Sequence, residues 1–186
     1  MKKSYYFIGA LLLILSFIFD KQISIFFTSY RASFLNTISI FINNISGYIL
    51  FLIVFLILLF AKQKKKLVPL ILSFISYLIL TEIIKIIVAR PRPFTELNNA
   101  FVLDNNPYKS FPSGHATAVS TLIPYFNFNR TLYYVWIFIV ILVSLSRVYL
   151  GVHYLSDVIA GVLLGSFIGD LSILLVRKHR NNKKNR

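Results

Sequence analysis

Apolar residues come in long unbroken runs along this chain, separated by short polar or basic breaks. A helical run needs about 20 residues to cross the core of a bilayer. Residues 1–19 form the first run, opening on Lys2 and Lys3 and ending in Phe17, Ile18, Phe19 and Asp20. No small residues mark a cleavage site there, so the run reads as an uncleaved membrane helix that tilting extends to Ile25. Residues 20–36 mix Lys21 and Arg31 with aromatics, the pattern of a short interfacial segment. Residues 38–61 make a second span, with Asn43, Asn44, Ser46 and Gly47 near its start. The basic turn 62–66 (KQKKK) leads into a third, 67–88, whose Pro69 lies in the first turn, where proline is tolerated. Near its far end Glu82 and Lys85 are three apart, close enough to pair.

Prolines 91, 93, 107 and 112 rule out a regular helix through the polar connection 89–113. A short fourth helix, 114–126, begins at Gly114 with Ser113 as its cap. After a turn at 127–130 come a fifth span, 131–149, and a sixth, 157–176. Gly161, Gly165 and Gly169 recur every four residues in the last, exposing a smooth groove for another helix. The expectation is an all-α polytopic membrane protein. Six transmembrane helices form one bundle with short interfacial segments, in a single domain over residues 1–186 with a basic tail at 177–186.

Composition agrees: 57% of residues are hydrophobic and mean hydropathy is +0.73, too apolar for a soluble domain of this size. Cysteine is absent, which removes disulfides and thiolate metal sites. The net charge of +14 suggests nucleic acid until its location is considered. Of the twenty Lys and Arg residues, only Lys21, Arg31, Lys85, Arg90, Arg92, Lys109 and Arg147 fall on one side or within the spans. The rest lie in the N-terminus, the KQKKK turn, the 127–130 turn and the C-terminal tail, so both termini are expected on the cytoplasmic face. The charge is then topological, with some attraction to anionic lipid, and no nucleic-acid partner is expected.

That orientation puts three polar stretches on the outer face. One is Lys85, six residues, then Arg92-Pro93; the second is Pro112-Ser113-Gly114-His115. The third is Ser146-Arg147, five residues, His153, three residues, Asp157. On a helix, His153 and Asp157 would lie one above the other, so that the carboxylate fixes the imidazole tautomer and frees the other nitrogen as nucleophile or base. Taken singly, each stretch has an ordinary explanation: a lysine paired with Glu82, a helix start, an arginine anchored at the interface. Together they occupy one side of the bundle, at the ends of its third, fourth and fifth spans.

The trio resembles the three-part signature of the type 2 phosphatidic acid phosphatase (PAP2) superfamily, in that family's order and over about 70 residues. The resemblance implies that His153 attacks phosphorus and forms a phosphohistidine, oriented by Asp157. It implies that His115 protonates the leaving oxygen and then activates water. Lys85, Arg92, Arg147, Ser113 and the Gly114 N–H would hold the phosphate oxygens. The chemistry is consistent, because phosphoryl transfer asks mainly for positioning and positive charge. Arginine supplies planar forks, lysine a point charge, and a helix start free N–H donors.

A metal phosphatase needs a carboxylate cluster, and of the six acids only Asp157 is expected near the histidines. No catalytic metal and no cofactor are expected. Asp170 reads as structural and His179 as an inert tail residue. The implied activity is a membrane lipid phosphate phosphatase at the outer face of a bacterial cytoplasmic membrane, with no obligate protein partner. Its candidate substrates are undecaprenyl pyrophosphate, phosphatidylglycerophosphate, phosphatidic acid and lipid A 1-phosphate. A lipid phosphotransferase using the same covalent step is the nearest alternative. A transporter or scramblase is the non-enzymatic one, although no internal repeat of the kind transporters show is present.

Overall fold

The computed structural model describes residues 3–97, 100–101 and 106–184. Lys2, Asp104 and Arg186, together with the side chains of Lys3 and Lys184, lie outside the described residues. Helix α1 (Lys3–Ser29) runs straight through Asp20 instead of ending there. Ser16, Asp20, Ser24 and Thr28, each four residues from the next, are buried, while Phe7, Ile14 and Ile18 are exposed. This helix turns its apolar side out and its small and polar side in, as lipid around a bundle demands. Asp20 does not end the span because its carboxylate is satisfied inside the protein, by Arg90 and Ser156.

The interfacial segment expected at 20–36 is therefore displaced. Helix continues to Ser29, and the next helix, α2 (Ser33–Ile45), lies oblique to α3 (Tyr48–Phe60), with a bend of 64° at Ser46-Gly47. What holds α2 in place is the far end of the bundle. Arg31 donates to the Tyr149 carbonyl at 2.6 Å, and the Tyr149 hydroxyl donates to Asn36 at 2.9 Å. Helix α4 (Leu67–Val88) keeps Pro69 in its first turn and stops at Ala89, whose φ of 45° breaks the helical path.

Helix α5 (Gly114–Thr121) is only eight residues long and continues as a 3₁₀ turn over Ile123–Phe126. Every residue from Ala116 to Thr121 is buried. Helix α6 (Arg130–Tyr149) follows, capped by the Asn129 side chain accepting from the Leu132 N–H. Helix α7 (Leu155–Lys184) carries the basic stretch over 177–184 as continuous helix.

Short α5 survives because its neighbours close around it. The glycines of α7 form the seat: a Cβ at Gly161 would stand 2.7 Å from the Ser113 carbonyl and 3.1 Å from Ala116 Cβ. At Gly165 and Gly169 it would strike the carbonyls of Thr117 and Thr121. From the other side, the Trp136 indole of α6 donates to the Val119 carbonyl at 2.8 Å, and Tyr125 bonds Ser73 of α4 at 2.5 Å. The surrounding core includes Val54, Leu58, Val119, Leu122 and Phe126.

Four helices, α1, α4, α6 and α7, are long and apolar enough to cross a membrane, or five spans if the bent α2–α3 pair is one. The expected six is not reached on length alone, because eight residues of α-helix rise only about 12 Å. The chain ends up as an all-helical, membrane-embedded bundle among the described residues. At one end Lys66 reaches the Tyr125 carbonyl and Asn127, and Arg180 reaches the Lys65 carbonyl. At the other end lie Lys85, Ser113 and Arg147.

Candidate active site

All three polar stretches meet at that second end. Lys85 is in the last turn of α4, its Nζ 2.9 Å from Glu82 and 3.4 Å from where a Cβ on Gly114 would be. Glycine at the start of α5 is what lets the ammonium approach the helix N-terminus. Lys85, Gly114 and His115 line a cavity of about 300 Å³ together with Tyr48, Tyr77 and Glu82. His115, on the first turn of α5, is within electrostatic reach of Arg147, His153 and Lys85.

Arg92 leaves the irregular connection after α4 and is buried. It donates to the carbonyls of Val152 at 3.0 Å and Asn106 at 3.1 Å, and its NH1 lies 3.3 Å from His153 Nε2. Guanidinium only donates, so Nε2 presents its lone pair and the ring proton resides on Nδ1. Nδ1 faces Asp157 Oδ2 at 3.7 Å, a charge contact rather than a hydrogen bond. Burial first, then the charges of Arg92, Arg147 and Lys85, hold the His153 pKa well below the usual imidazole value. An unprotonated imidazole among cations is chemically able to attack an anion that those cations hold.

His153 is not on a helix with Asp157, contrary to the i, i+4 expectation. It sits in the turn before α7, and Asp157 is in the first turn. Gly151, at φ +72°, makes that turn possible: a Cβ there would press on Ala100 and Thr28. Asp157 then reaches back to accept the Tyr154 N–H at 2.8 Å, half of a capping box, and also accepts from Ser110. Its main-chain carbonyl accepts from the Ser113 N–H at 2.9 Å, which fastens the second stretch to the third.

Ser113 occupies the N-cap position of α5, but its hydroxyl makes no capping bond. That oxygen is fully buried and has no hydrogen-bond partner among the described residues, as suits a donor to a bound anion. Arg147, in the last turn of α6, is buried, with its guanidinium on Asn43 of α2.

Sequence reasoning missed Arg90, Asp20, Asn43 and Ser110. Arg90 lies two residues before Arg92 and donates to Asp157 Oδ1 at 2.6 Å and Asp20 Oδ2 at 2.7 Å. Asp20 joins Asp157 through Arg90, which lies 70 positions away from Asp20 in the sequence. Only the repeat Arg90-Pro91-Arg92-Pro93, with its second arginine, carried a local sign of Arg90. Among the described residues no group of three or more His, Cys, Asp and Glu is arranged to hold a metal. Asp170 accepts from Tyr6 at 3.3 Å and lines a separate cavity of about 530 Å³, away from the histidines. His179 lies near the end of α7.

Comparison with known proteins gives the same picture. Residues 66–181 match the family model of the PAP2 superfamily. An undecaprenyl-diphosphatase of Sulfolobus acidocaldarius is 37% identical over 143 residues, 75% of this chain and 69% of that protein. The crystal structure of Aquifex aeolicus LpxE superposes with a TM-score of 0.72 at 26% identity, covering 82% of this chain and 93% of that one. A PAP2-type phosphatidylglycerolphosphate phosphatase from Bacillus subtilis shares the fold, with a TM-score of 0.73 at 23% identity over 93% and 96% of the two chains. With its matched region carrying all three basic and histidine-bearing stretches, this chain belongs to the PAP2 superfamily and is a membrane phosphatase of that family.

Proposed function

We propose that the chain hydrolyses a lipid diphosphate or monophosphate through a phosphohistidine on His153. The observation that carries this is the aim of His153, with Nε2 toward Arg92 and the cation cluster and Nδ1 toward Asp157. Nε2 attacks phosphorus, and the bond to the lipid-side oxygen breaks. His115 gives that oxygen a proton, then takes one from the water that cleaves the P–N bond. Lys85, Arg92 and Arg147 balance the charge spread over the phosphoryl oxygens, with the Ser113 hydroxyl and the Gly114 N–H as neutral donors.

A lipid substrate is supported by the shape beside the site. The cavity at Lys85 and His115 shares Tyr48 with an apolar groove of about 270 Å³ lined by Phe51, Phe55, Leu70 and Phe74. A headgroup at the cations and a hydrocarbon chain along α3 and α4 fit these two spaces. The name of the Sulfolobus relative favours a polyprenyl diphosphate.

The proposed topology has six passes, the sixth being 114–126. Its first residue lies beside Lys85 at the end of α4, and Asn127, just past it, bonds Lys66 before the start of α4. Contacts toward both ends of α4 support reading this short helix and 3₁₀ turn, with the side chains that flank them, as one pass. The basic end then faces the cytoplasm with both termini, and the histidines face the outside of a cytoplasmic membrane.

Phosphate release from farnesyl diphosphate by purified protein in detergent, without an acceptor lipid, tests the activity. Radiolabelled substrate should leave an acid-labile, base-stable label on the protein. His153→Ala should lose that label and several orders of magnitude in kcat. A folded His153→Ala protein with near-normal turnover would discard the mechanism.

A further inference from the structure

Two buried acids share one arginine behind the nucleophile. Arg90 bridges Asp20 of α1 and Asp157 of α7. Ser156 completes the knot: its N–H donates to Asp20 Oδ1 at 2.9 Å, its hydroxyl bonds Asp20, and Arg90 donates to its oxygen at 2.6 Å. Asp20 thus caps the N-terminus of α7 from another helix. The guanidinium is held in plane as well, 4.2 Å from the Tyr154 ring centre and 5.2 Å from that of Phe17. None of this touches the cavity where a phosphate would sit.

The charge count explains the arrangement. If Arg90 met Asp157 alone, one cation would cancel one carboxylate, and little negative field would remain at His153. With Asp20 taking the second branch of the guanidinium, the group carries a net single negative charge. We propose that Asp20, acting through Arg90, is a positioning residue for the reaction, one that keeps Asp157 aimed and effectively anionic behind His153.

The charges facing His153 come from every side. Lys85 belongs to α4, Arg90 and Arg92 to the connection after it, His115 to α5, Arg147 to α6 and Asp157 to α7. Against Arg90 itself stand Asp20, Asp157 and Tyr154, with Glu96 near that tyrosine. All but Asp20 and Arg90 are constant in the following comparison.

The role rests on the phosphohistidine reading, and the experiment separates the two. The acid limb of kcat/KM for farnesyl diphosphate, read in detergent, reports the imidazole that must be neutral. Asp20→Asn should lower kcat about tenfold with KM within about twofold. It should also move the limb to lower pH by on the order of half a unit, because a negative charge is lost. Arg90→Gln should move the limb the opposite way, and the double variant should bring it back. A merely structural cap predicts activity falling in step with thermal stability and no movement of the limb, and that result overturns the proposal. Should Asp20→Asn not fold alone, the double variant compared with Arg90→Gln isolates the same carboxylate, since the two differ only at Asp20. The limb of the double should then lie below that of Arg90→Gln by on the order of half a unit, and coincident limbs refute the role. Run alongside, an active His153→Ala would fail the phosphohistidine reading itself, whereas an inactive one with an unmoved limb fails only the role of Asp20.

Discussion

Gly161→Ala is the sharpest probe of how the bundle positions the chemistry. The added Cβ would sit 2.7 Å from the Ser113 carbonyl, where ordinary contact begins at 3.4 Å. Ser113 cannot yield alone, because its carbonyl accepts from both the N–H and the hydroxyl of Thr117 at 2.9 Å. The start of α5 must therefore move by about 0.7 Å relative to α7, carrying Gly114 and His115 away from His153. Overpacking of this kind costs about 1–3 kcal/mol in stability. A misplacement approaching 1 Å costs on the order of 10²-fold in rate. Gly9→Ala is the control: the nearest atoms to its Cβ belong to the flexible side chain of Leu163, with Cδ2 closest and Cγ at 3.3 Å, and not to backbone at the candidate site. Thermal unfolding and phosphate release from farnesyl diphosphate should show Gly9→Ala near parental kcat and Gly161→Ala far below it. Parental turnover in Gly161→Ala would refute the view that the α5–α7 seat sets the distance between the two histidine-bearing segments.

Arg147→Lys should lower kcat/KM by about tenfold or more, because a fork held on Asn43 becomes a point charge, and unchanged kinetics would reduce Arg147 to an anchor. Since His153 is held well below the usual imidazole value, kcat/KM should persist below pH about 6.5 before its acid limb appears. The same depression makes the unfolded chain bind the extra proton, so stability is lost as pH falls through about 6.5; His153→Gln should flatten that part of a melting-temperature profile. Activity should survive EDTA, because Asp20 and Asp157 are both engaged by Arg90; loss that Mg²⁺ restores would count against it.

The three stretches of the candidate site were legible because the chemistry proposed for them depends on short spacings: Lys85 to Arg92, Ser113 to His115, Arg147 to His153. Asp20 and Arg90 were not, since pairing across 70 positions leaves no local pattern, and an acid at the end of an apolar run looks like the end of a span. Asn43 was visible only as a polar residue near a helix start, with nothing to tie it to Arg147. Spacing also misled once, because four residues between His153 and Asp157 suggest a shared helix face, whereas positive φ at Gly151 keeps the histidine in a turn. The glycine repeat of α7 was readable as a groove. What filled it, an eight-residue helix buried on all sides, follows from tertiary enclosure and not from the length rule that predicts spans.

The inward polar stripe of α1 has a consequence for biogenesis. A lone carboxylate costs up to roughly 3 kcal/mol to insert when it lies at the bilayer centre, and less toward either surface. The guanidinium that relieves Asp20 belongs to a segment synthesised 70 residues later. On this account the helix nearest the N-terminus enters the bilayer provisionally, and locks into the bundle only when the chain beyond α4 arrives to neutralise it.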